Sequence, residues 1–322
     1  MALESQLTSI GTKYIRPALI NGWMNGSPTL TRFKAKGRVL KSLPGGNALQ
    51  FPFTYRSVGN VTRYNGMMEI PAEERDEITS VTYEWKFIGA QIVYKGTDIA
   101  KLSGPTAKVN LVMSKKKNVL DTLQDTVATD IFNVGTNILA LDGLRLMVDA
   151  AGTYPNSGGV AIADFATWSG NEDSATTTLT RALLTNFILT QSGSLGTQEA
   201  ATVLIMNASM FGKLHAIVDP QERWESKTNL SVGFKTLTFN GLDIVVDTHC
   251  PGSGGGTTDN WLIVLNENRL GFTMHADYDM KMGPVLEPIT QDAKMQKVLF
   301  GAALWTDERR RQGAFQTINP SL

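Results

Sequence analysis

Between residues 81 and 87 the chain alternates, with Val81, Tyr83, Trp85 and Phe87 apolar and Thr82, Glu84 and Lys86 polar. A period of two predicts a strand with an aromatic face. Upstream, Phe51, Phe53 and Tyr55 predict its mate, and Pro52 confines that mate to an edge or a bulge. The stretch from Asn65 to Thr79 between them is acidic and too long for a tight hairpin turn. Residues 49–95 therefore read as one extended two-stranded loop. At about 3.3 Å per residue, about fifteen residues on each side would carry it on the order of 50 Å from its base.

The period then changes. Val119, Leu123, Val127, Ile131, Val134, Ile138 and Leu141 recur every three or four positions, which predicts one long amphipathic helix over about 115–141. At 1.5 Å per residue it would span roughly 40 Å. Before it, Gly104-Pro105 reads as a turn and Val109 to Met113 as a short strand. Asp142-Gly143 stops the helix, and Leu179, Leu183, Leu184, Phe187 and Ile188 mark another. Thr202 to Met206 reads as a strand, with Asn207 the N-cap of a helix that carries Met210, Phe211, Leu214, Ile217 and Val218. Asn240-Gly241 joins strands Phe234–Phe239 and Leu242–Val246 through a type I′ turn. Trp261–Leu265 and Lys294–Trp305 are further strands. Residues 1–48, broken by glycine and proline, read as an irregular arm.

Composition sharpens this outline. The chain has 322 residues, 42% hydrophobic and only 19% charged, with 30 cations against 30 acids. Low charge and near-zero net charge give little colloidal repulsion and suit a surface covered by copies of itself. The charge is nonetheless blocked. Residues 1–50 hold seven cations, among them Arg32, Lys34, Lys36 and Arg38, against Glu4 alone. Residues 69–98 hold seven acids, among them Glu73, Glu74, Asp76 and Glu77, against three cations. The two blocks could pair between neighbouring subunits, the basic one could face nucleic acid, or each could be separately solvated. One cysteine excludes an internal disulfide. The first residues lack the pattern of a signal peptide, and no apolar run reaches the length of a membrane span, so a soluble, unexported chain is expected.

Candidate chemistry is thin. Cys250 and His249 are neighbours, and neighbours on a strand point to opposite faces, so they make a poor nucleophile and base. His215, His249 and His275 have no metal-ligand spacing, and Asp277 with Asp279 reads as an exposed acidic loop before a cation site. The glycine run 252–256 lacks the lysine of a phosphate loop and opens no helix. Neither a cofactor nor a metal is expected. Trp23 and Phe33, interleaved with cations, suit weak and non-specific contact with nucleic acid.

The order of elements, with phrases such as VLIMNASMFGKLHAI and NGLDIVVDT, resembles the major capsid proteins of tailed bacteriophages, a Hong Kong 97-like fold shared with encapsulin nanocompartments. The resemblance implies an α+β chain in five parts. These are an N-terminal arm (1–48), an extended loop (49–95), the first part of a peripheral domain with its spine helix (96–180), an axial domain (181–270), and return strands with a C-terminal tail (271–322). It implies a structural subunit, not an enzyme, that self-assembles as pentamers and hexamers into an icosahedral shell around double-stranded DNA. That shell would be built in the bacterial cytoplasm with a separate scaffolding protein, a portal at one vertex and, in some particles, a decoration protein. An encapsulin enclosing enzyme cargo is the alternative, and a hydrolase using residues 181–270 a distant one. On this picture Tyr83, Trp85 and Phe87 would pack on a neighbouring subunit, and Gly89, Gly96 and Gly104 near the loop's base would act as hinges. Segment 49–95 is expected to leave its own subunit and lie across the next.

Overall fold

A computed structural model describes residues 26–41, 46–56, 62–68, 76–101, 105–154, 157–173, 178–193, 200–218, 237–252 and 260–316. The elements run α1 (Pro28–Ala35), β1 (Val39–Lys41), β2 (Ala48–Thr54), β3 (Ile78–Glu84), β4 (Lys86–Lys95), α2 (Gly96–Lys101), α3 (Pro105–Asp130) and α4 (Leu144–Val148). They continue with β5 (Asn171–Asp173), α5 (Arg181–Gly193), β6 (Val203–Met206), α6 (Ala208–Val218), β7 (Leu237–Phe239) and β8 (Leu242–Val246). The last are β9 (Leu262–Leu265), β10 (Leu270–Met274), β11 (Lys281–Leu286), β12 (Ala293–Thr306) and β13 (Gly313–Phe315).

Three sheets organise them. The first has order β1-β10-β12-β11, and β4 also pairs with β12. The fourteen residues of β12 make this possible, because its two ends serve different partners: β4 lies along Ala293–Ala302 and β10 along Ala302–Thr306. A six-stranded mixed sheet follows the order β5-β13-β9-β6-β8-β7, and β2 with β3 forms a separate two-stranded sheet. Four consecutive buried residues in β6 and in β9 show that the middle of the six-stranded sheet is covered on both faces. One apolar core joins α1, α3, α4, the first sheet, the hairpin and one face of the six-stranded sheet; a second lies under α5 and α6 on that sheet's other face.

Several expected elements are present. Asn207 Oδ1 accepts the N–H of Met210 at 2.8 Å and so caps α6. Asn240 and Gly241 have φ of 48° and 82°, as a type I′ turn between β7 and β8 requires. The long helix exists, but at 105–130 instead of 115–141. Pro105 opens it, since proline at a first helical position loses no intrahelical bond, and Val109–Met113 is helix, not strand. It ends early because Phe132 and Asn133 donate to Thr129 and Asp130, tightening the last turn. The chain then doubles back: Leu144 N–H donates to the Ile131 carbonyl, and a side chain at Gly143 would fall on the backbone of Asn133. Ile131 and Leu141 are buried around this loop, so the apolar stripe runs past the true end, whereas Ile138 on the same stripe is exposed.

Segment 49–95 is not one arm. Its C-terminal part, β4, lies in the body of the molecule, paired over ten residues with β12. Only β2 and β3 form the hairpin, seven residues each, or about 23 Å of paired strand.

Candidate assembly surface

The inner face of the β2–β3 hairpin is bound to its own chain. Phe53, Val81 and Tyr83 are buried, Phe53 lies edge-on to Trp168 with centroids 4.6 Å apart, and Phe51 stacks on Trp305 at 4.1 Å. Tyr83 donates its hydroxyl to the Thr306 carbonyl at 3.0 Å, and burial pushes its phenol up to about 12. Gly158, at φ 64°, lets the loop approach Val81; a Cβ there would collide with it. Tyr83 is thus a core residue of its own subunit, and the expectation that it packs on a neighbour is corrected. The alternation that joined it to Trp85 and Phe87 breaks at the bend between β3 and β4, where the chain passes from one sheet to another.

At and beyond that bend the other two aromatics differ, Trp85 being half-buried and Phe87 exposed. Phe87 is 53% exposed, its ring lying over Gly301, the residue it pairs with across the ladder. Around it gather Tyr278 at 5.0 Å and His275 at 6.0 Å, and the half-buried Trp85 meets His275 edge-on at 5.1 Å. Trp85, Phe87 and His275 wall one side of an open groove of about 690 Å³ whose other side is polar, formed by Gln50, Thr82 and Glu84. The indole Nε1 of Trp85 is buried with no acceptor. A further apolar group lies on the distal part of the hairpin, where Tyr64, Met67, Met68 and Ile78 are exposed.

The outer edge of the hairpin is partly blunted. Tyr55 N–H donates to Glu77, so the alternation of an antiparallel pair turns the amides of residues 49, 51 and 53 inward and those of 48, 50 and 54 outward. Pro52 falls in the outward set and removes one donor from the open edge, the position the sequence required of it.

The charged residues divide differently from expectation. Arg32 is buried, its guanidinium 2.6 Å from Asp243 and donating to both oxygens of Glu267 at 2.8 and 3.0 Å. It pins α1 to the six-stranded sheet and is withdrawn from any contact between subunits. Arg38 is half-buried and donates to the carbonyl and side chain of Asn268. Lys34, Lys36 and Asp76 are exposed and Glu77 is partly so; Glu73, Glu74 and Gly104 lie outside the described residues. Gly89 sits mid-strand opposite Leu299, where bending would break the ladder, which counts against a hinge there. Gly96 stands at the junction of β4 and α2, its N–H donating to the Asp292 carbonyl at 3.0 Å.

Nothing catalytic assembles from the other candidates. The Cys250 thiol is buried against the Trp261 carbonyl at 3.6 Å and pushed far up by burial, while the His249 ring faces Asp125 and Asp247. Asp277 is exposed in a short 3-10 turn, its N–H donating to His275 Nδ1, whereas Asp279 at the end of that turn is buried, a correction to the exposed acidic loop expected of the pair. Among the described residues no three metal-ligating side chains converge, and no helix is long and apolar enough to cross a membrane. Sequence reasoning missed His275 and Tyr278 beside Phe87 and the carboxylates around Arg32, because each meets its partner across more than 180 residues.

No family model matches the sequence, and no curated protein matches it. Solved structures do match the fold. The capsid asymmetric unit of cyanophage A-1(L) aligns with 87% of this chain and 90% of its own, at a TM-score of 0.66 and 13% identity. The SrpI encapsulin complex of Synechococcus elongatus PCC 7942 aligns with 92% of this chain and 89% of its own, at 0.58 and 10%. The capsid of a native GTA particle aligns with 89% and 90%, at 0.57 and 10%. With nearly all of both partners aligned in each case, the chain carries the α+β fold shared by tailed-phage capsid proteins and an encapsulin shell protein.

Proposed function

We propose that the protein is the major capsid subunit of a tailed phage, a structural and not a catalytic chain, closing an icosahedral shell around double-stranded DNA. The observation that carries this reading is the alignment of 87% of the chain with a cyanophage capsid subunit at a TM-score of 0.66. The surface supports it: exposed apolar side chains stand on the distal hairpin, and an aromatic groove opens at the hairpin's root. A knob and a hole at different places on one chain make a head-to-tail contact, the kind that closes rings of five and six. In that contact Trp85 and Phe87 form the receiving surface and bury a few hundred Å² of apolar area, about 25 cal/mol for each Å². Lys34 and Lys36 remain available to pair with Asp76 and Glu77 of a neighbour or to meet packaged DNA, and Gly96 and Gly104 are the candidate hinges. A scaffolding protein, a portal and a decoration protein are the further partners this reading implies, with assembly in the host cytoplasm.

The encapsulin alignment, over 92% of the chain, favours a second reading in which the shell encloses an enzyme. Negative-stain imaging of the purified chain separates both from anything else, since hollow megadalton particles are expected. A monomer or small oligomer under every condition of salt and concentration would refute the shell. Nuclease-protected DNA inside native particles supports the phage reading, and a co-purifying protein cargo without DNA supports the other.

A further inference from the structure

Asp125 projects from the exposed side of α3, and His249 follows β8 at the end of the six-stranded sheet's ladder. The imidazole bridges them. Its Nε2 lies 2.9 Å from Asp125 Oδ1 and its Nδ1 lies 3.1 Å from Asp247 Oδ1. Asp247 Oδ1 also accepts the backbone N–H of His249 at 3.0 Å. The other oxygen of Asp247 accepts from Ser27 Oγ at 2.9 Å and from Thr29 Oγ1 at 2.6 Å. Helix α3, the start of α1 and the loop after β8 are therefore joined through one ring and one carboxylate.

The ring has a carboxylate oxygen at each nitrogen. A neutral imidazole carries a single N–H, so it would donate to one of them and turn a lone pair on the other; only the imidazolium donates to both. We propose that His249 is a protonation-operated clasp: the charged ring ties α3 to the six-stranded unit, and loss of its proton releases α3 at Asp125. Burial decides which contact lets go. Asp247 is fully buried and its bonds to His249 are made within two residues, whereas the Asp125 side chain is 74% exposed and meets the ring from 124 residues away in the chain. Two other charged groups face the site, Asp130 at the end of α3 and Arg145 on α4, which line with His249 a cleft of about 300 Å³. Arg145 lies over the Trp261 ring at 4.3 Å, and burial pushes the Asp130 carboxyl up. The cleft gives water a path to the ring. Burial alone would lower the pKa of His249, but the bonds and charges of Asp125 and Asp247 outweigh it and raise the value.

The sign follows. A group whose folded pKa is raised contributes stability that is full below its unfolded value, about 6.5, and is lost as pH climbs through the folded value. The clasp is closed in mild acid and opens toward alkaline pH. This inference concerns the folded chain and does not depend on the shell reading. The test is hydrogen–deuterium exchange, corrected for intrinsic rates, of peptides spanning residues 119–133 in the full chain between about pH 6 and pH 9. Protection in the wild type should fall about two- to fivefold across that range, the span an exposed ion pair supplies. Asp125→Asn, an exposed change the fold tolerates, should lower protection in mild acid to the level the wild type reaches at alkaline pH and leave it unchanged there, and His249→Gln should likewise flatten the profile. A wild-type profile that does not change with pH, or the wild-type pH dependence kept in both variants, would overturn the clasp.

Discussion

Asp247 gathers Ser27, Thr29 and His249 around one fully buried carboxylate, and those bonds hold it ionised: burial would raise its pKa, yet the donors outweigh burial and lower it. An Asp247→Asn change turns an amide toward donors and leaves some of them unsatisfied, which should cost about 3 kcal/mol in urea unfolding. The pH dependence of the site has two edges. Asp247, with a lowered pKa, contributes fully above about 3.9, and the contribution is lost as pH falls through its folded value. His249, with a raised pKa, contributes fully below about 6.5 and is lost on the alkaline side. The contribution of this site to thermal stability should therefore plateau between about pH 4 and pH 6.5 and decline on both sides, and the difference between wild type and Asp125→Asn should shrink on the alkaline side. Cys250 makes a simpler expectation: a thiol buried to 2% exposure and pushed up by burial should resist iodoacetamide in the native chain and react fully after unfolding.

At the scale of elements, the hairpin and β4 illustrate how one alternating pattern can serve two sheets. Tyr83 and Phe87 share a period-two face in the sequence, yet one is core and the other is 53% exposed. The difference sits in the bend at Trp85, which no local propensity marks. Phe87→Ser should accordingly leave circular dichroism and urea stability nearly unchanged while reducing particle yield, whereas Tyr83→Phe should cost about 1 kcal/mol of subunit stability through the lost bond to Thr306. Unaltered assembly of Phe87→Ser would remove the aromatic groove from the interface. Pro52→Thr would restore an outward N–H to β2, and light scattering should show more self-association through that edge. The element that sequence placed best was the run from β6 through α6, where the Asn207 cap, the apolar stripe and the β strand before it agree. The helix α3 was legible in kind and misplaced by about ten residues, because Ile131 and Leu141 of the apolar stripe are buried around the loop after it.

For the whole molecule, the aligned fold rests on strand pairings that are far apart in the chain. Strand β4 pairs with β12 and β1 with β10, each across about two hundred residues or more. Periodicity marked most strands and helices, because a side chain's face depends only on local backbone geometry, but it missed α1 and β1 in the stretch read as an irregular arm and took the first part of α3 for a strand. Composition and the order of elements also brought out the shell-protein resemblance, since arm, spine helix and α/β unit succeed one another along the chain. Tertiary structure alone decided that residues 86–95 belong to the body, that Arg32 is an internal anchor, and that one imidazole meets a carboxylate of α3 and a carboxylate of the six-stranded unit. Ladder partners, buried ion pairs and the faces a bend exposes are set by which distant segments pack together, and that information is spread over the whole chain instead of residing in any window of it.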